Sequence, residues 1–262
     1  MPSAYLLSLA YCPNQSNQNH MASPAEILHT IVHERRSVRK YQEGGTLDPE
    51  AVRRSLERAI LAPNSSNLQT WEFHRIRSAD SLKEVARLCM NQSAARTAHE
   101  LVVFVCRSDH WQDHSKRILA QMRPSFSDPL TKRDKRAIEY YKRNIPLLYR
   151  NDPVGFMTLF RHLLVLIMSW NKPFVRWTNH ANSRIITHKS IALAAQTFML
   201  SMQAEGYATC PMEGFDEKRL KRFLQLPAKA EISMVVATGP ADEDGIYGPR
   251  FRFPYNEVVK EW

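Results

Sequence analysis

Three cationic side chains, Arg35, Arg36 and Arg39, follow the first apolar stretch after residue 22, and Ser37 lies among them. A guanidinium group donates paired hydrogen bonds that match the oxygens of a phosphate, and a hydroxyl adds one more donor. The segment can therefore bind a phosphate dianion. The alternative is that the cations complement the negative end of a helix, and the spacing alone leaves both interpretations open.

A polar loop follows over residues 63–70 and leads into Trp71. The amide and hydroxyl groups of Asn64, Ser65 and Asn67 can hydrogen-bond the carbonyl and imide edges of a heterocycle. The same residue types are equally common in turns. A later segment, residues 210–215, bears a proline and a glycine, and by itself it indicates only a turn.

Helix signals place the first two of these segments. Ser23 and Glu26, with a proline between them, begin a helix that the apolar pattern extends to about Arg35. Asp48 repeats the signal, and Pro63 ends a second predicted helix, whose apolar face includes residues 52, 56 and 60. We therefore expect the cationic cluster at the end of one helix and the polar loop at the end of the next.

The remaining pattern alternates strands and helices. Residues 101–106 form a continuous apolar run, typical of a strand covered on both faces, and we expect this strand and the one at 71–77 to be central. The order of elements predicts an α+β layer fold. Further predicted elements are strands at 207–210 and 231–238 and helices at 78–90, 187–205 and 216–224. The inward residues of the long helix are predicted to be Ile191, Ala194, Ala195, Phe198 and Met202, with Gly206 just past its end.

Composition limits the classes of protein. The four cysteines, at positions 12, 89, 106 and 210, have no metal-binding spacing, so we expect no metal site and a reducing, cytoplasmic location. None of the eight glycines falls in the spacing of a Rossmann or P-loop nucleotide site. The formal net charge of +10 favours anionic ligands, but it does not choose among phosphates, nucleic acid and acidic lipid.

We predict an N-terminal extension over residues 1–22 and a single domain over 23–262, with a divergent insertion at about 107–186 that lies over a site. Its apolar run at 154–170, which carries Arg161 and His162, is shorter than the ~20 residues of a bilayer span and indicates a buried or interfacial helix. Its basic residues can attract the phosphates of a cofactor or form a solvated helix face: Lys132, Arg133, Lys135, Arg136, Lys142 and Arg143. Its aromatic residues can roof a cleft or pack in the core: Phe126, Tyr140, Tyr141, Phe174 and Trp177.

Three motifs, taken in order, resemble the FMN-dependent nitroreductase family. They are R-R-S-V-R at 35–39, P-x-S-S-N-x-Q-x-W at 63–71 and P-x-E-G-F at 211–215, and the resemblance covers roughly residues 26–106 and 187–256. It implies a nitroreductase-like fold with a central mixed, mostly antiparallel sheet flanked by helices. It also implies a homodimer with FMN sites at the subunit interface.

Carried over position by position, the resemblance implies a set of FMN-binding residues. Ala94 stands where the family often has a lysine, so one positive group near the flavin is missing or supplied elsewhere. The phosphate and ribityl chain would be held by Arg35, Ser37 and Arg39, with Arg36 as a lesser candidate and Arg250 and Arg252 as the last pair. The alternative for that last pair is a solvated basic tail. The ring would lie against Asn91, Pro211, Met212, Glu213 and Gly214, with the backbone N–H of Glu213 facing flavin N5. The polar-loop residues that would approach the flavin of the partner subunit are Pro63, Asn64, Ser65 and Asn67.

The implied activity is transfer of a hydride from NADH or NADPH through FMN to a small, planar electrophile such as a nitroaromatic, quinone or enone, in a ping-pong cycle. No side chain is singled out as a general acid or base, and His162 and His188 are interpreted as structural. One alternative is a specialised flavin enzyme on the same scaffold, such as a dehalogenase, a dehydrogenase or a flavin-consuming enzyme.

The other alternative is a basic protein that binds nucleic acid or an anionic membrane. The preferred interpretation expects a small-molecule substrate and no nucleic acid. It allows peripheral membrane contact without favouring it.

Overall fold

The computed structural model describes residues 22–150, 155–176 and 178–262. Two expectations from the sequence concern residues outside these ranges. They are nearly all of the N-terminal extension at 1–22, and Trp177 as an aromatic residue of the insertion.

Four strands form the central sheet, in the spatial order β1-β2-β4-β3. The three neighbouring pairs are antiparallel, and an isolated parallel bridge joins Ser37 to Thr209. With helices flanking this sheet, the predicted α+β fold class is confirmed. The strands are β1 (Trp71–Ile76), β2 (Glu100–Cys106), β3 (Ala208–Met212) and β4 (Glu231–Gly239).

The central position expected for both β1 and β2 is confirmed for β2 and wrong for β1. All seven residues of β2 are buried, because helices cover both of its faces. β1 lies at the edge of the sheet beside β2, and only its two end residues, Trp71 and Ile76, are buried. Its four inner residues are half-buried, and its two buried end residues belong to different hydrophobic clusters, one on each face of the sheet.

The alternation of side chains along β2 separates two hydrophobic clusters. Leu101, Val103 and Val105 point to one face, where α3 (Ala79–Leu88) packs. Val102 and Phe104 point to the other face, where the long helix α9 (His180–Ala204) packs. Each face of the sheet therefore has its own helical cover.

The helix α9 confirms its predicted inward residues. It begins at His180, earlier than the predicted residue 187, because the Asn179 side chain accepts a hydrogen bond from the backbone N–H of Asn182 and caps it. Gly206 follows the helix with φ of +83°, as its predicted position requires. The five buried residues are Ile191, Ala194, Ala195, Phe198 and Met202.

The two N-terminal helices form as their signals predict. α1 (Pro24–Glu34) begins with a capping box between Ser23 and Glu26, and α2 (Pro49–Ile60) is capped by Asp48. The apolar face expected along α2 is buried at Val52, but Ile60, its last residue, is exposed. α1 buries none of its residues, and its apolar side chains at 27, 28 and 32 are open.

The insertion is largely helical and packs against the polar loop. Ile145 and Tyr149 pack against Leu68 of that loop in a small third cluster, with Trp111 and Tyr141 at its margin. Its helices are α5 (Trp111–Met122), α6 (Lys132–Glu139), α7 (Ile145–Tyr149) and α8 (Phe156–Met168). The remaining helices are α4 (Ser93–Thr97), α10 (Glu217–Phe223) and α11 (Tyr255–Val258).

Candidate functional site

The end of α1 brings together arginines from both ends of the domain. The Arg250 guanidinium donates to the carbonyl oxygens of His33 and Arg35, each at 2.6 Å. The Arg36 guanidinium donates to the carbonyl oxygen of Gly248 at 2.8 Å. The two bonds from Arg250 satisfy carbonyl groups that α1 leaves open at its C-terminus. They also hold the C-terminal segment against residues 35–39.

Like charges act on one another in this cluster. Burial lowers the pKa of Arg35, and the like charges of Arg250, Arg252 and Arg36 lower it further. Within the described part of the chain, none of these four arginines has an acidic side chain within salt-bridge distance. Guanidinium groups that repel one another favour the binding of an anion among them.

Ser37 and Arg39 are fixed by the edge of the sheet. The Val38 backbone N–H donates to the Thr209 carbonyl oxygen at 3.1 Å, and the Arg39 N–H donates to the Gly245 carbonyl oxygen at 2.7 Å. The contact with Gly245 requires a glycine, since a Cβ atom there would lie 2.5 Å from the Lys40 carbonyl oxygen. The buried Thr209 hydroxyl oxygen has no hydrogen-bond partner among the described residues, which leaves a polar group beside Ser37.

The segment after β3 lies beside Asn91. The Gln92 side chain donates to the Gly214 carbonyl oxygen at 2.7 Å, and the Asp216 N–H donates to the Leu88 carbonyl oxygen at 2.9 Å. Asn91 has φ of +51°, a left-handed conformation that asparagine tolerates. The loop that carries Asn91 and the segment 211–214 are thus tied together.

Burial differs along residues 211–214. Pro211 is half-buried and Met212 is buried, whereas Glu213 and Gly214 are exposed. β3 connects this exposed end to the arginine cluster, because Cys210 lies close enough to Arg35 and Arg39 for their charges to act on its thiol. The strand therefore leads from the arginine cluster to Glu213 and Gly214, which are exposed to solvent.

Two residues of this region were not predicted from the sequence. Gln92 bonds the segment 211–214, and its only signal was its place directly after Asn91. The ring of Tyr247 lies under the Arg39 guanidinium, 5.4 Å from the ring centroid. Nothing in the spacing of Arg39 and Tyr247 predicts this contact.

The polar loop has different neighbours in the same chain. The Ser65 N–H donates to the Ser190 hydroxyl of α9 at 3.2 Å, and Ser66 bonds Tyr140 and Tyr141 of the insertion. A cavity of about 430 Å³ lies between this loop and α5. Its lining includes Asn67, Gln69, His114, Arg117 and Tyr141.

Side-chain bonds hold the loop in shape. The Asn64 amide oxygen accepts from the Gln69 N–H at 2.9 Å, and Ser66 and Asn67 have positive φ. None of the hydrogen bonds described for residues 63–67 leads to the arginine cluster. Within one chain the loop and the cluster are therefore two separate groups.

The other candidates have ordinary surroundings. His162 bonds Thr178, and His188 bonds Ser233 and Glu231. The six basic residues at 132–143 are exposed, as a solvated helix face would be. Phe174 is exposed, while Phe126 is half-buried beside a cavity.

Two classes of site are absent from the described ranges. No group of three or more His, Cys, Asp and Glu residues there has metal-binding geometry. No described helix is long and apolar enough to cross a membrane. The cysteines in those ranges, at 89, 106 and 210, are buried free thiols.

The chain belongs to the nitroreductase family, whose model matches residues 32–240. The match runs through the insertion, which had no counterpart in the motifs, and ends before Arg250 and Arg252. Family membership places the chain among the oxidoreductases.

Individual relatives agree with this assignment. Protein DrgA of Synechocystis is 29% identical over 81% of this chain and 83% of its own length. MhqN of Bacillus subtilis, provisionally named an NAD(P)H nitroreductase, is 23% identical over 90% of this chain and 98% of its own length. A protein from Exiguobacterium sibiricum, solved in complex with FMN, superposes with a TM-score of 0.64 at 22% identity, covering 90% of this chain and 97% of that one.

Proposed function

We propose that this chain is an FMN-dependent oxidoreductase that transfers a hydride from NADH or NADPH to a small, planar electrophile. Nitroaromatic, quinone and enone groups are the substrate classes that fit this chemistry. The main support is that four arginines lie close together with no acidic partner among the described residues. They are Arg35, Arg36, Arg250 and Arg252. The FMN complex of a relative with the same fold supports it.

The residues present fit FMN. Its phosphate and ribityl chain would be held by the arginine cluster together with Ser37 and Arg39, and the Thr209 hydroxyl offers a further polar group there. Its ring would lie beside Asn91 and the segment 211–214. When bound, FMN supplies the group that accepts a hydride from the donor and gives it to the substrate.

The protein's own contribution is placement and charge. The Gln92 amide donates to the Gly214 carbonyl, which holds the backbone just after Glu213. Guanidinium groups neutralise the anion that binds among them. Ala94 is buried at the position where the resemblance expects a lysine, so its side chain supplies no charge there.

We also propose a homodimer in which the polar loop at 63–67 completes the site of the partner subunit. Two observations support this arrangement. The loop is separate from the arginine cluster within one chain, and α1 leaves Ile27, Leu28 and Val32 exposed. An apolar face of this kind is ordinarily covered by association.

The buried free thiols agree with a reducing cytoplasm.

Purified protein tests the cofactor directly. We expect flavin absorption in the visible range and its bleaching by NADH or NADPH in the absence of oxygen. A colourless protein that does not take up added FMN contradicts the proposal and favours the alternative of a binding protein without a flavin.

Replacing two arginines tests the cluster. We expect Arg35→Ala with Arg252→Ala to weaken FMN binding on the order of a hundredfold, since a hydrogen bond to a charged group contributes about 1.5–3 kcal/mol. The matched control is Arg133→Ala with Arg136→Ala on the solvated face of α6, which removes the same charge. Equal FMN affinity in both double variants removes the cluster from the site.

A further inference from the structure

The helix α8 presents an apolar face to solvent. Its exposed side chains recur at intervals of three and four residues, which places them on one side of a helix. Leu163 is 51% exposed, Ile167 is 71% exposed, and Trp170, just beyond the helix, is 82% exposed. The face consists of Phe156, Leu159, Phe160, Leu163, Leu166, Ile167 and Trp170.

The opposite side of α8 buries a charge. Arg161 is only 4% exposed, and its guanidinium donates to the carbonyl oxygen of Leu147 at 2.7 Å and to that of Arg150. A surface helix of a water-soluble domain has the reverse arrangement, with its charges outside and its apolar side chains inside. Because exposed apolar area is unfavourable in water, this face needs a cover, either another protein surface or the apolar part of a membrane.

The segment that follows α8 enlarges the same surface. The hydrogen bond between Thr178 and His162, at 3.1 Å, brings the chain back alongside the helix. On this return, Val175 is an exposed apolar residue. Lys172 and Arg176 are exposed cations, and no described acidic side chain forms a salt bridge with either. The result is an apolar face with unpaired cations beside it.

The charge of the surrounding sequence distinguishes between a second copy and a membrane as the surface that covers the apolar face of α8. No Asp or Glu occurs between Asp152 and Glu205, and the whole chain carries a formal charge of +10. A second copy docked through α8 would bring two such acid-free stretches together, with no carboxylate in either to pair with the cations. A surface of anionic lipid offers both an apolar interior and negative headgroups.

We propose that α8 docks the protein on the surface of a membrane that contains anionic lipids. The apolar face enters the boundary between headgroups and acyl chains, and Lys172 and Arg176 contact the headgroups. The helix lies on the membrane and does not cross it, since 13 residues are fewer than the ~20 that a span requires. This inference is independent of the flavin.

Flotation with vesicles tests the docking face. We expect the full-length protein to float with vesicles of phosphatidylcholine and phosphatidylglycerol at low salt, and much less with phosphatidylcholine alone. Leu163→Gln with Ile167→Gln should reduce binding about tenfold or more, because burial of one such side chain is worth about that factor. The matched control is Ile60→Gln with Leu61→Gln at the end of α2, where both side chains are also exposed.

The cations have a separate test. Lys172→Gln with Arg176→Gln should lower binding to the anionic vesicles about thirtyfold, since each cation contributes about 1 kcal/mol, and leave the weak binding to phosphatidylcholine unchanged. Circular dichroism confirms that each variant is folded. Mass in solution, measured by light scattering, reports whether the α8 variant loses a bound second copy.

Two results overturn the proposal. In one, the wild-type protein does not bind anionic vesicles, or the α8 variant binds them as well as the α2 control does. In the other, the α8 variant changes the mass in solution without changing flotation, which means that a second copy covers this face.

Discussion

The helices α8 and α9 follow one another in the chain, and both are rich in apolar residues, but they meet opposite surroundings. α9 places Ile191, Ala194 and Phe198 against the sheet and buries them completely. α8 turns Leu159, Leu163 and Leu166 outward and its arginine inward. An apolar sequence thus indicates that a helix needs another surface to cover its apolar face. Whether the chain itself provides that cover depends on which element lies opposite.

The largest effect is expected from removing packing in α9. Phe198 is fully buried between Phe104 and the rest of its cluster, with ring centroids 5.7 Å apart, and Phe198→Ala should lower the free energy of unfolding by about 3–5 kcal/mol. Leu163→Ala in α8 should change it by less than about 0.5 kcal/mol, because the side chain is already half in water. Urea denaturation measures both, and equal losses would show that α8 is covered within the chain.

A smaller effect is expected from the inward charge of α8. Arg161→Ala leaves the carbonyl oxygens of Leu147 and Arg150 without this donor, so we expect a loss of about 1–3 kcal/mol in the free energy of unfolding. Arg133→Ala, on the exposed face of α6, is the control and should have little effect. If Arg161→Ala were as mild as the control, the buried arginine would not anchor α8.

The smallest effect is expected at the end of α9. Hydrogen bonds from Arg54 and Arg58 lower the pKa of Glu205 to about 2, whereas an unpaired glutamate in the unfolded chain has a pKa of about 4.3. The stabilisation from these pairs is therefore present above that unfolded value and is lost as the pH falls through the folded one. It is small because both arginines are substantially exposed.

Glu205→Gln should therefore cost up to about 1 kcal/mol near neutral pH, with no difference from wild type at the acidic end. Denaturation at a series of pH values measures it, with exposed Glu43→Gln as the control. A deficit that persists unchanged below the folded pKa would mean that the charge of Glu205 is not what ties α9 to α2.

Much of the fold was predictable because its signals are local. The start of α1 follows from Ser23 and Glu26, and the buried face of α9 from the spacing of its apolar residues. The edge position of β1 was not predictable with the same rules, since strand order depends on which segments pair. The exposed end of α2 at Ile60 was missed for a similar reason, because a helical pattern does not reveal where the cover ends.

The candidate site divides in the same way. The motifs around Arg35, Pro63 and Pro211 indicated the nitroreductase family, which the family match then confirmed, while the roles of their individual residues remain predictions. Gln92 and Tyr247 could not be predicted because each acts through a partner more than a hundred residues away in the chain. Long-range partners of this kind carry no spacing signal.

By itself, the sequence determined the chemical types and their order: arginines at both ends of the domain, a polar loop, a long core helix and an apolar helix with one arginine in it. Tertiary structure alone decided that Arg250 meets the end of α1, that the polar loop lies apart from that cluster, and that α8 faces outward. The physical reason is that propensity, capping and periodicity act over a few residues. Burial and charge repulsion, in contrast, depend on which distant segments come within a few ångströms of each other.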